Sequence, residues 1–131
     1  MNSDSSAVFA GRLLVKFAGS FSDRRGAPKQ ELARTLDSIS IYLAEIATAL
    51  RSGDSPDRSL GLLRAKTITF IIVAREVVPE QTAREIARQL VSSTRFLMAF
   101  NDGGAPFSVA SDFEAAAKLF KTVAETAGMI Q

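Results

Sequence analysis

The chain has 131 residues, 47% of them hydrophobic, and carries no histidine, no cysteine and no tryptophan. That removes the side chain that titrates near neutrality, the strongest intrinsic nucleophile and most zinc, copper and haem ligation, so most enzyme mechanisms lose their chemistry. Net charge is a mild +2, from 16 Lys and Arg against 14 Asp and Glu, and eleven of the basic residues are Arg.

This length fits one domain over residues 1–131, with enough apolar residues to build a core without a disulfide or metal staple. Met1–Ser6 carries Asp4 and no basic residue, unlike the start of a secretory signal. The longest strongly apolar run, Thr67–Ala74, is followed at once by Arg75 and Glu76, far short of the ~20 apolar residues of a membrane helix. The expectation is a cytoplasmic protein with no membrane partner.

Five helical segments follow in chain order: Ala7–Phe21, Pro28–Ser52, Pro56–Val78, Pro79–Asn101 and Ser108–Gly128. In the first, Phe9, Leu13, Phe17 and Phe21 recur at helical spacing, and Gly11, Ala18 and Gly19 permit close approach of a neighbour. The second opens on a Pro suited to a first helical turn. Its Leu32, Leu36, Ile39, Leu43, Ile46 and Leu50 are spaced four, three, four, three, four, a heptad seam of the kind that joins helices at a shallow angle. Ile41 lies opposite that seam and Tyr42 on its flank. Gly53 is the expected left-handed cap, after which Asp54–Ser55–Pro56–Asp57 restarts a helix.

Apolar residues surround nearly the whole third segment: Leu60, Leu63, Phe70 and Val77 on one side, Ile68 and Ile72 on another, Leu62 and Val73 on a third. Such a helix is expected to be buried, by other helices or by a second subunit. Thr67–Val73 is the one β-like stretch, but its flanks continue a helical pattern, so it is read as helix. The fourth segment turns Ile86, Leu90, Leu97 and Phe100 to the core. After the breaker Asn101–Pro106, Ser111 and Glu114 match a Ser-x-x-Glu capping box, and Phe113, Phe120 and Val123 stand beside five alanines.

Within the fourth segment, Thr-Ala-Arg-Glu-Ile-Ala-Arg-Gln-Leu (Thr82–Leu90) resembles the first helix of bacterial helix-turn-helix regulators, and Ser-Ser-Thr-Arg after it resembles the start of a recognition helix. The resemblance implies DNA binding. It covers fifteen residues and breaks at the turn, where Val91 replaces the usual Gly and no residue remains to make the bend. One continuous helix is therefore expected. Its Arg84, Arg88 and Arg95 share a face, which with Arg24 and Arg25 of the first loop forms a candidate phosphate-binding set. The same face also reads as ordinary solvated surface, with Glu80 and Arg84 as an i,i+4 pair.

The acids occur singly, with no calcium loop, no Glu-x-x-His pair and no phosphate-cradling glycine loop. No catalytic, cofactor or metal site is expected. The fold expected is all-α: an antiparallel four-helix bundle with an additional short N-terminal helix. The function expected is a non-enzymatic interaction module of adaptor, regulator or chaperone-like type, homo-oligomeric, with Ile41, Tyr42, Ile68 and Ile72 as its interface. The alternative is a basic bundle that binds RNA or DNA through phosphate contacts.

Overall fold

The computed structural model describes residues 6–18, 27–98 and 107–129. Among these residues there are five helices and no strand: α1 (Ser6–Lys16), α2 (Ala27–Ser52), α3 (Asp57–Ala74), α4 (Glu80–Met98) and α5 (Phe107–Met129). The β-branched run Thr67–Val73 is helical within α3. Thr82–Phe96 lies inside the unbroken α4, with no turn after Leu90.

The helix ends follow their local chemistry. Gly53 takes φ 77°, and after it the Asp54 N–H donates to the Ala49 carbonyl (2.9 Å) while the Gly53 N–H donates to that of Leu50 (3.4 Å). This paired closure satisfies carbonyls that a helix end leaves open. At the start of α3, Ser55 Oγ accepts from the Asp57 N–H at 3.2 Å.

Packing runs around a ring. α2 lies against α5 on one side and α3 on the other, α3 meets α4, α4 meets α1, and α1 meets α5. The short first helix thus closes the bundle between α4 and α5. The α2 seam forms the centre: Leu32, Leu36, Ile39, Leu43 and Ile46 are fully buried, with Leu50 packed at its end. α5 answers with Phe113 and Phe120, separated by Ala116 and Ala117 and followed by Val123, Ala124 and Ala127, all buried. Rings beside methyl-sized residues let two helices interdigitate without voids. Four buried hydroxyls are satisfied locally: Ser40, Thr67, Ser93 and Thr94 donate to carbonyls one turn back at 2.6–2.8 Å.

Three expectations need correction. The buried face of α1 is Ala7, Val8, Ala10, Gly11 and Leu14, whereas Phe9 is 42% exposed and Leu13 and Phe17 are half-buried. The phase turns because α1 is wedged between two helices. A Cβ on Gly11 would sit 2.8 Å from Leu119 Cδ1, so small residues must face inward there. Phe21 lies outside the described residues. α3 is not buried all round: Leu60, Leu63, Thr67, Phe70 and Ala74 face the core, while Leu62, Ile68 and Ile72 are exposed. In a ring each helix has two neighbours and an inner side, which leaves its outer pole uncovered. Finally, Ser111 and Glu114 make no capping box. α5 begins at Phe107, and Glu114 instead accepts from Arg51 Nη2 of α2 at 2.7 Å.

Two substitutions separate the core from the outer pole. Phe120→Ala is expected to lower unfolding stability by about 3–5 kcal/mol, as removal of a fully buried ring does, and Ile72→Ala by less than about 1 kcal/mol. Chemical denaturation of both variants checks this. In the same assay Gly11→Val should cost about 1–3 kcal/mol by overpacking, with part of the loss recovered when Leu119→Ala is added.

Candidate functional site

The outward side of α3 carries the two most exposed large hydrophobic residues among the described ones. Ile68 is 63% and Ile72 56% exposed, and Gly61, Leu62, Ala65 and Thr69 are also exposed. Gly61, Ala65, Ile68 and Ile72 follow one another at about one turn, with Leu62 and Thr69 beside them, so they form a stripe away from Leu63 and Phe70. Of the four residues expected at an interface, Ile68 and Ile72 share this stripe. Ile41 is 46% exposed on the outer pole of α2, and Tyr42 is half-buried against the core beside it. None of the three isoleucines is covered by the fifth helix.

Phe9 and Val15 on α1, and Phe96 and Met98 on α4, are also more than a third exposed. Sequence reasoning set Phe9 at helical spacing with Leu13, Phe17 and Phe21 and did not single out the other three. For Phe96 a signal exists: it falls outside the Ile86–Leu90–Leu97 stripe. For Phe9 there is none, because its spacing with Leu13 and Phe17 is that of a core face.

Arg84, Arg88 and Arg95 do share a side of α4. They line an open groove of about 850 Å³ between α3 and α4, with Ile68 and Ile71 opposite. Arg24 and Arg25 lie outside the described residues. Two of the three arginines are already engaged along their own helix. Arg84 donates from Nε (3.0 Å) and Nη2 (2.8 Å) to Glu80 Oε2, and Arg88 donates from both Nε and Nη2 to Glu85 Oε1. Gln89 Nε2 holds the other oxygen of Glu85 at 2.8 Å. Among the described residues no carboxylate pairs with Arg95.

These hydrogen bonds act on the acids. The Arg84 guanidinium holds the Glu80 carboxyl below its ordinary value, and Arg88 together with Gln89 does the same for Glu85. Across the bundle, Arg51 lowers Glu114. A charge-assisted hydrogen bond to the ionised carboxylate favours that form. The groove therefore presents its arginines largely neutralised rather than as an open cationic wall.

Among the described residues no three His, Cys, Asp or Glu side chains are grouped to hold a metal ion, and no helix is long and apolar enough to cross a membrane. The molecule is thus a five-helix bundle whose distinguishing surface is the outer stripe of α3. No known protein family, curated protein or solved structure matches the chain.

The three lowered carboxyls give a pH dependence of definite sign. Because folding depresses their pKa values, their contribution is present above the ordinary glutamate range and is lost as pH falls through the lowered values. Carboxyl-detected NMR titration should show Glu80, Glu85 and Glu114 titrating below the ordinary glutamate range. Arg51→Ala should return Glu114 alone to the ordinary range.

Proposed function

We propose that this chain is a non-enzymatic protein-interaction module, an adaptor, regulator or chaperone-like bundle, that works through outward helix faces and associates with itself. The observation that carries this reading is the outer stripe of α3, where Ile68 and Ile72 stand one turn apart and more than half exposed. Single exposed apolar residues are ordinary on a protein surface; a stripe of them along one helix marks a docking surface. The chain's composition supports the same reading, since it lacks histidine and cysteine.

Native co-purification with light scattering tests it. The wild-type chain is expected to run above the 14.1 kDa of one copy or to retain a protein partner. Ile68→Asp together with Ile72→Asp should keep the helical circular dichroism spectrum and weaken the association by roughly tenfold or more, because a desolvated charge replaces an apolar contact. A wild-type chain that stays monomeric and retains nothing contradicts the proposal.

A second reading is nucleic-acid binding along the α4 groove, favoured by one observation: Arg84, Arg88 and Arg95 share its wall. The internal pairing of Arg84 and Arg88 with Glu80 and Glu85 places it behind the first. Phosphate-driven binding of a labelled duplex would weaken by about 0.9 log units per log unit of salt for each phosphate neutralised. Absence of binding at low salt disposes of it.

A further inference from the structure

The outer stripe of α3 has an internal order. Gly61, Ala65, Ile68 and Ile72 are spaced four, three, four, the same seam rhythm that α2 uses toward the core, but here on the solvent side. Its N-terminal half is small and its C-terminal half large. Gly61 stands inside a helix, where glycine costs stability relative to alanine, yet a Cβ placed on it meets nothing within 4 Å. Nothing in the chain's own fold requires a glycine there.

We infer that α3 docks against α3 of a second copy of this chain, antiparallel, about a two-fold axis midway between Ala65 and Ile68. This rests on the reading of the α3 outer face as an interaction surface and names its partner. In that register Ile72 of the second copy lies over Gly61, and Ile68 of the second copy lies over Ala65. Each large residue meets a small one, and each contact occurs twice by symmetry, as an isologous interface requires. Gly61 is then explained as the receiving hole for an isoleucine.

The charges at the two ends fit the same arrangement. Asp57 and Arg58 open α3, and Arg75 and Glu76 follow its last residue; all four are exposed. At about 100° per residue, which follows from ~3.6 residues per turn, Arg58 and Glu76 flank the stripe on one side and Asp57 and Arg75 on the other. A two-fold axis that reverses helix direction keeps each flank on its own side. Arg58 therefore meets Glu76 of the second copy, and Asp57 meets Arg75 of the second copy. A parallel two-fold exchanges the flanks and would set Arg58 beside Asp57 and Glu76 beside Arg75 of the second copy, but it would also set Gly61 against Gly61 and Ile72 against Ile72. The end charges thus suit a second copy of this chain, and the large-over-small fit of the stripe selects the antiparallel direction.

The test uses the full chain. Sedimentation velocity should show reversible dimers with a micromolar Kd. Arg58→Glu should weaken the dimer by about tenfold, and adding Glu76→Arg should restore it. Gly61→Leu is expected to raise the melting temperature of the monomer while weakening the dimer, a split that a purely structural role of Gly61 would not give.

Because the chain has no cysteine, single introduced cysteines report direction without background. Ala65→Cys should cross-link to itself on oxidation, since the two copies are offset by only about 4.5 Å along the helix, three residues at ~1.5 Å each. Gly61→Cys should not cross-link to itself but should do so when mixed with Ile72→Cys. Self-cross-linking of Gly61→Cys, or failure of the charge swap to restore association, overturns the antiparallel register. A monomeric chain that retains a different protein through Ile68 and Ile72 overturns self-docking and leaves the interaction-module reading standing. A monomeric chain that retains nothing overturns both.

Discussion

The apolar contact between α2 and α5 is the constraint on which the rest of the bundle depends. One side of α2 is a stripe of fully buried leucines and isoleucines, and α5 meets it with two phenylalanines set among alanines. Each branched side chain removed from water there contributes roughly 1.5–3 kcal/mol, more than any surface ion pair in the molecule. The Arg51–Glu114 pair bridges the two helices at an exposed edge of this contact, where an ion pair adds little stability. With α2 and α5 locked, α3 takes the other flank of α2, α4 follows α3, and α1 closes the remaining side.

A ring of this kind settles which surfaces remain free. Every helix turns one side inward and two flanks to its neighbours, so only its outer pole meets solvent. On α4 that pole carries Arg84 and Arg88 paired with Glu80 and Glu85 about a turn away, followed by Arg95 and the exposed Phe96 and Met98. On α3 it is isoleucine, alanine and glycine. The two surfaces adjoin across the groove where Ile68 and Ile71 face Arg84, Arg88 and Arg95.

Much of the fold was legible in the sequence because its signals are local and redundant. The α2 seam, the Gly53 cap and the prolines before α3 and α4 each mark a boundary or a face by a mechanism that operates within one helix. The misread features depend on neighbours. Phe9 and Leu13 have core spacing, yet between α4 and α5 the helix turns in Ala7, Val8, Ala10, Gly11 and Leu14, with Leu119 leaving no room for a side chain at Gly11. Ser111 and Glu114 have the spacing of a cap, but the helix starts a turn earlier and Arg51, sixty-three residues away, takes the glutamate. For the candidate surface, Ile41, Ile68 and Ile72 stood out by lying off the main stripes of their helices. The α3 pole itself was invisible to periodicity, since a helix apolar on every side does not say which side the bundle will leave open. That is decided by the number of neighbours it receives.

The closure of the ring through α1 also shapes how the chain folds. α2, α3 and α4 meet their neighbours across short connections, so they assemble with little loop entropy to overcome. The α2–α5 and α1–α5 contacts join segments from opposite ends of the sequence. A vectorially emerging chain therefore shows the bare α2 seam until α5 has been made, and α1 must wait for its slot to exist. Such sequence-distant pairing slows a helical protein relative to bundles built only from adjacent helices. It also concentrates the aggregation hazard of the nascent chain on the α2 leucines rather than on the α3 stripe that stays exposed in the finished fold.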